Sequence, residues 1–140
     1  MIGTNNPLNV RYNKANKWRG QIGYRKGFVN FTSVEYCFRA VCYMIMQSYR
    51  KRGCYTYSQI IERYAPEVEN PTQNYLGFVC ARCGVTPIQV PSCKMDVAKL
   101  VCAMYQFESG DKVFDLFSAH YTPSYVLNII DMFNLKFYYK

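Results

Sequence analysis

The sequence predicts an α+β fold, mainly α, in which a small N-terminal β-hairpin lobe precedes five or so helices. Three observations predict it. Residues 5–31 are dense in Gly, Asn and aromatic residues, and they carry short alternating runs such as Gly27-Phe28-Val29-Asn30-Phe31 that favour a hairpin or a three-stranded patch. From Ser33 onward the punctuation is helical, each segment bearing its own start and stop signals. A chain of 140 residues that is 50% hydrophobic can bury the core of one domain without staples.

The elements follow in order. The first helix is expected over residues 33–52, with Ser/Thr at its cap and Gly53 just past its end, and Val34, Phe38, Val41, Cys42, Ile45 and Met46 fall close to helical period. A short second helix begins after Thr56, because Thr56-Tyr57-Ser58-Gln59 is a capping box, and it ends before Pro66. The third opens at Asn70-Pro71, read as a cap followed by proline at the first helical position, and stops at Gly84. A proline-punctuated turn from Thr86-Pro87 to Pro91-Ser92 leads to a fourth helix closing at Glu108-Ser109-Gly110. Thr122-Pro123 repeats the cap-then-proline signal and opens a last helix through Phe133. One domain over 1–140 is expected, divided into a 1–32 lobe, a 33–110 helical core and a 111–140 C-terminal helical extension.

Charge is unevenly placed. Residues 1–52 hold ten Lys/Arg against Glu35 alone, a balance of +9, while the remainder comes to −1, for a total of +8. Such a basic face attracts nucleic acid, anionic lipid or an anionic wall polymer through the same long-range field. No nucleic-acid motif accompanies it, so nucleic acid is not the expected partner, although Tyr12, Trp18 and Tyr24 lie between basic residues as conceivable stacking platforms. No window reaches the length of an apolar membrane span, and the N-terminus lacks the layout of a signal peptide, so synthesis in the cytoplasm is expected. Seven cysteines make an odd count, read as reduced and mostly buried thiols. Cys80 and Cys83 form a CxxC, but His120 is the sole histidine and sits at no paired spacing, so no metal site and no cofactor are expected.

Carboxylates are scarce, and two stand out as acid–base candidates. Glu35 follows Thr32 in Thr-x-x-Glu, which is also a capping-box pattern. Glu108 ends a largely apolar helix, where the carbonyl end of the dipole and partial burial disfavour the anion, as suits a glycosidase general acid. A saccharide groove needs flat apolar faces and amide or guanidinium donors. Asn6, Asn9, Arg11, Tyr12, Trp18, Gln21, Phe28 and, farther along, Tyr75 are the candidate substrate-binding residues, with a hairpin mini-core as the plain alternative for Trp18 and Phe28.

The ordered motifs Asn5-Asn6-Pro7-x-Asn9-Val10-Arg11-Tyr12, Trp18-x-Gly20-Gln21, Gly27-Phe28-x-x-Phe31-x-Ser33-x-Glu35-Tyr36, Phe38-Arg39-Ala40, Ile61-x-Arg63-Tyr64-Ala65-Pro66-x-x-Glu69-Asn70, Tyr75 and Glu108-Ser109-Gly110 resemble a widespread group of small phage and prophage proteins. Members are labelled virion structural proteins and are similar to lysozyme-like or lytic-transglycosylase domains. The resemblance spans residues 3–110. One departure is Leu8, which stands where the group has Gly in Asn-Pro-Gly-Asn.

The resemblance implies a lysozyme-like fold and a peptidoglycan-cleaving glycosidase, muramidase or lytic transglycosylase, acting without metal or nucleotide. Glu108-Ser109 closing a helix, with Asn6-Pro7 and the Gly-rich lobe at the start of the chain, suggests a circularly permuted version of the transglycosylase site. Glu108 is then the preferred acid and Glu35 the second choice. The alternative is a non-catalytic virion structural or wall-binding protein of the same fold. Expected partners are bacterial peptidoglycan and other virion proteins, reached through the basic first third or the aromatic C-terminal helix, in the phage particle or at the host wall.

Overall fold

A computed structural model describes residues 2–66, 71–111 and 115–139. Strands β1 (Gln21–Arg25) and β2 (Phe28–Phe31) form an antiparallel hairpin, and an isolated bridge joins Arg11 to Phe28 on its open side. The two-residue turn Lys26-Gly27 has φ of 50° and 84°, the double positive φ of a type I′ turn, whose twist matches the flanking strands. A register irregularity between Gln21 and Gly23 bends β1. Along β2, Val29 and Phe31 are buried while Phe28 and Asn30 are less so, the two-residue alternation of a strand with one face on a core.

The other regular elements among the described residues are helical: α1 (Val34–Tyr43), a π-helical segment (Met44–Ser48), α2 (Tyr49–Lys51), α3 (Tyr57–Tyr64), α4 (Thr72–Cys83), α5 (Lys94–Ser109), a 3-10 turn (Leu116–Ser118) and α6 (Pro123–Met132). The architecture is thus mainly α with a small β-hairpin. Helix α5 is central, since every residue from Leu100 to Gln106 is buried, as a helix enclosed on all sides requires. It packs against α1, α4 and α6. One contiguous apolar cluster runs from Leu8 and Val29 through Phe38, Ile61 and Val101 to Leu135.

Local signals set most boundaries. Thr56 accepts from the Gln59 backbone N–H at 3.1 Å while Gln59 Oε1 accepts from the Thr56 N–H at 3.0 Å, completing the capping box on α3. Thr122 accepts from the Tyr125 N–H with Pro123 in the first turn of α6, and left-handed glycines close α4 (Gly84, φ 67°) and α5 (Gly110, φ 73°).

Four expectations are corrected. The cap of α1 is Ser33 with no side-chain bond, so Glu35 falls one position short of a capping box with Thr32. The span from 34 to 51 is helical throughout but widens into a π segment in its middle, which apolar periodicity does not reveal. Pro71 itself caps α4, and Asn70, like Glu69, lies outside the described residues. Leu8 needs no glycine: the left-handed backbone falls on Asn5 (φ 52°) and Asn9 (φ 53°), whose short polar side chains tolerate it, and Leu8 is fully buried.

Past Gly110, the described residues pack onto the body. Val126, Ile129, Ile130 and Leu135 enter the core, and the segment past α6 lies along the first helix. There the Tyr138 N–H donates to the Met46 carbonyl (2.8 Å), a group in the π segment, and Gln47 Nε2 donates to the Lys136 carbonyl (2.7 Å). Arg50, only 7% exposed, donates to the Pro91 carbonyl at 2.8 Å and lies over the Tyr55 and Phe137 rings. The C-terminal aromatics expected to face a partner are therefore largely turned onto their own chain, apart from Phe117 and Tyr139.

Candidate functional site

The lobe is tied to the body by polar contacts. Asn6 is fully buried: its Nδ2 donates to the Val10 and Val29 carbonyls (both 2.9 Å), and its Oδ1 accepts from the Val10 N–H (2.8 Å) and the Cys37 thiol (3.3 Å). One amide thus joins the 6–10 turn, β2 and α1. Burial pushes the Cys37 thiol up to about 12, keeping it a protonated donor. Gly20, at φ 79°, lies so close to the Tyr36 ring that any side chain there would collide with it.

This knot presents Asn9 to the last turn of α5, where its Nδ2 donates to Glu108 Oε1 at 3.1 Å. Glu108 is half-buried in a cavity of about 280 Å³ with Pro7, Asn9, Tyr105, His120 and Tyr121. The Tyr64 hydroxyl donates to the Leu8 carbonyl (2.7 Å) behind it. Tyr75 is fully buried and stacked on Phe107 at 4.1 Å. Its hydroxyl interacts only loosely with Glu108, short of a well-formed hydrogen bond. Both phenols are held well above the ordinary tyrosine range, first by burial and then by the Glu108 charge, so they stay neutral donors. A carboxylate oriented by an amide beside neutral phenols can hold a hydroxyl- or amide-bearing ligand, or take up and return a proton.

Asn9 also borders a second, larger cavity of about 350 Å³, where Arg11, Arg52 and Arg63 meet Trp18 and Tyr64. Arg11 is set by its guanidinium lying 4.7 Å from the Phe28 ring centroid, and Trp18 by an edge contact with Tyr43. The two cavities thus share one wall residue and differ in charge.

Of the candidate catalytic and substrate-binding residues, Asn9, Glu108, Arg11 and Trp18 line these cavities. The others do not. Asn6 and Tyr75 are interior, because every reach of the Asn6 amide ends on the backbone or a buried thiol and the Tyr75 ring is packed on α5. Gln21 accepts from the Trp18 N–H (3.2 Å) and braces the entry to β1. Tyr12 is stacked on Tyr24 at 3.9 Å, and Phe28 supports Arg11. Glu35 sits in the first turn of α1, near enough to Tyr121 and Tyr125 to raise both phenols after burial, and lines neither cavity. Sequence reasoning passed over Tyr105, His120 and Tyr121. His120 as the lone histidine and the Arg63-Tyr64 pair were the available signals. Among the described residues no group of His, Cys, Asp or Glu could hold a metal ion, and no helix is long and apolar enough to cross a membrane.

Fold and site define a mainly helical protein with a hairpin lobe hydrogen-bonded across a carboxylate cavity. The chain is similar to Protein P5 of Pseudoalteromonas phage PM2, with 29% identity over 113 residues covering 78% of this chain and 70% of that protein. No family model matches the chain.

Proposed function

We propose that this chain is a structural protein of a phage particle, set among neighbouring virion proteins. The observation that carries the reading is the similarity to a phage protein along 78% of the chain. Two features support it. Asn6, Gln21 and Tyr75, three of the candidate sugar-binding residues, are engaged in holding the fold. The hairpin meanwhile exposes Ile22 (64%) and Tyr24 (58%) beside Arg19, Arg25 and Lys26, a mixed apolar and basic face suited to a protein neighbour with acidic rim residues. The deciding experiment is quantitative mass spectrometry of purified particles of the encoding phage. The chain is expected at a fixed ratio to the major coat protein, and its absence from particles defeats the reading.

One observation favours a second reading. Half-buried Glu108, held by Asn9 in a cavity, suits a lysozyme-like, circularly permuted peptidoglycan glycosidase with Glu108 as the acid and the 5–31 lobe as the groove. Purified sacculi separate the two. Release of soluble muropeptides by the wild type and not by Glu108→Gln supports the enzyme, and no release over a range of pH supports the structural protein.

A further inference from the structure

The hairpin is covered along one side only. On that side β2 is bonded beyond β1, since the Val29 N–H donates to the Val10 carbonyl (3.0 Å) and the Phe31 N–H to the Thr4 carbonyl (2.9 Å). In an antiparallel ladder the backbone groups of two opposed residues either both turn toward each other or both turn away. Val29 turns away to Val10, so Tyr24, which stands opposite Val29, turns its N–H and carbonyl away from β2. No described residue bonds those two groups, and β1 is an open edge with Ile22 and Tyr24 exposed along it. Charge selects what can pair there. Residues 1–34 hold Lys and Arg but no Asp or Glu, and Arg25 and Lys26 stand exposed at one end of the edge. At the other end Gly20 is seated on the Tyr36 ring, which brings Arg19 near Arg39, about one turn further along α1. Arg39 lies over the Tyr43 and Phe133 rings (5.6 and 5.7 Å), and its Nε meets no partner among the described residues. Burial and then the Arg19 charge hold its guanidinium below the usual arginine range. Neither arginine forms an ion pair among the described residues. A second copy laid along the edge would set these cations against their own kind, a guard by which natural edges avoid pairing with themselves. A strand carrying carboxylates meets the same cations with the opposite sign.

We propose that the β1 edge takes up an extended, acidic segment of a neighbouring virion protein as an added strand, bonded to the Tyr24 backbone, with its apolar side chains against Ile22 and Tyr24 and its carboxylates toward Arg19, Arg39 and Arg25. This contact rests on the reading of the chain as a particle protein and gives the way it joins its neighbours.

The test is photo-cross-linking in purified particles of the encoding phage, with Ile22→p-benzoylphenylalanine and, at an exposed position off the edge, Ile88→p-benzoylphenylalanine as the control. Position 22 is expected to link to one segment of another virion protein rich in Asp and Glu, and position 88 not to link to that segment. Adding Tyr24→Pro removes the outward N–H, which an edge strand tolerates, and is expected to lower the yield of the link about tenfold while the circular dichroism of the purified chain stays unchanged. Tyr24→Thr keeps the N–H and is expected to lower the yield less. Arg19→Glu, at an exposed position, is expected to lower it through charge alone. A link to a second copy of this chain, to lipid or to a segment without an acidic excess overturns the proposal, as does a yield that Tyr24→Pro and Arg19→Glu both leave intact. Where the chain is present in particles at a fixed ratio and position 22 links to nothing, the edge is not the contact and the particle reading stands. Absence of the chain from particles defeats both.

Discussion

The hairpin lobe and the helix α5 share one apolar interior but differ in how many polar bonds hold them in place. Around α5 the interior is apolar, with Leu100, Val101 and Met104 fully buried among α1, α4 and α6. The lobe sends Leu8, Val10, Val29 and Phe31 into the same interior but adds a set of amide bonds: Asn5 donates to the Phe31 carbonyl at 3.1 Å, Asn6 gathers three elements, and Asn30 accepts from the Thr4 N–H at 2.8 Å. Packing of the first kind tolerates changes of shape better than changes of volume. A buried polar knot tolerates neither, because each partner left behind is a desolvated group without a bond.

The sharpest way to break the contrast is Leu100→Ala, expected to cost about 3 kcal/mol in denaturant unfolding by opening a cavity in the central helix. Asn6→Ala is expected to cost about 2 to 3 kcal/mol, since the Val10 N–H and the Cys37 thiol lose their acceptor and the Val10 and Val29 carbonyls each lose a donor. Hydrogen exchange distinguishes the two. Asn6→Ala should speed exchange at Val10 and Val29 and leave α5 protected, whereas equal acceleration everywhere would mean that the lobe is no separate unit. Thr56→Ala removes one cap in the body and should cost about 1 kcal/mol without touching the lobe.

The smallest effect is in pH. Burial raises the Cys37, Cys83 and Cys102 thiols from 9.0 to about 12 in the folded chain. The folded state therefore holds protons that the unfolded chain releases. Their contribution is complete below about pH 9 and is lost as pH rises toward 12. Cys37→Ala should flatten part of that alkaline decline measured by urea unfolding, and an unchanged slope would assign it to the buried tyrosines instead.

What was legible in the sequence was local. Thr56 with Gln59, Thr122 with Pro123, and Gly84 and Gly110 each settle a helix end through atoms a few residues apart. Asn6 misled because an asparagine in a Gly-rich loop has the same composition whether it reads a ligand or ties the chain to itself. Only the closure of the 6–10 turn on β2 and α1 decides. The bond from Asn9 to Glu108 spans 99 positions and follows no spacing rule, although the ordered motifs had placed Glu108 beside the lobe. The arginine cavity was legible only in part, since Arg11 and Arg52 belong to the basic first third while Arg63 arrives from α3.

The π segment has a consequence for synthesis. Its Gln47 and Met46 are bonded to Lys136 and Tyr138, and Gln47 precedes Lys136 by 89 positions. A ribosome delivers Met44–Ser48 long before it delivers those partners, so the first helix emerges with its widened turn unclasped. Until residues 136 and 138 are made, the Met46 carbonyl and the Gln47 amide lack these two partners.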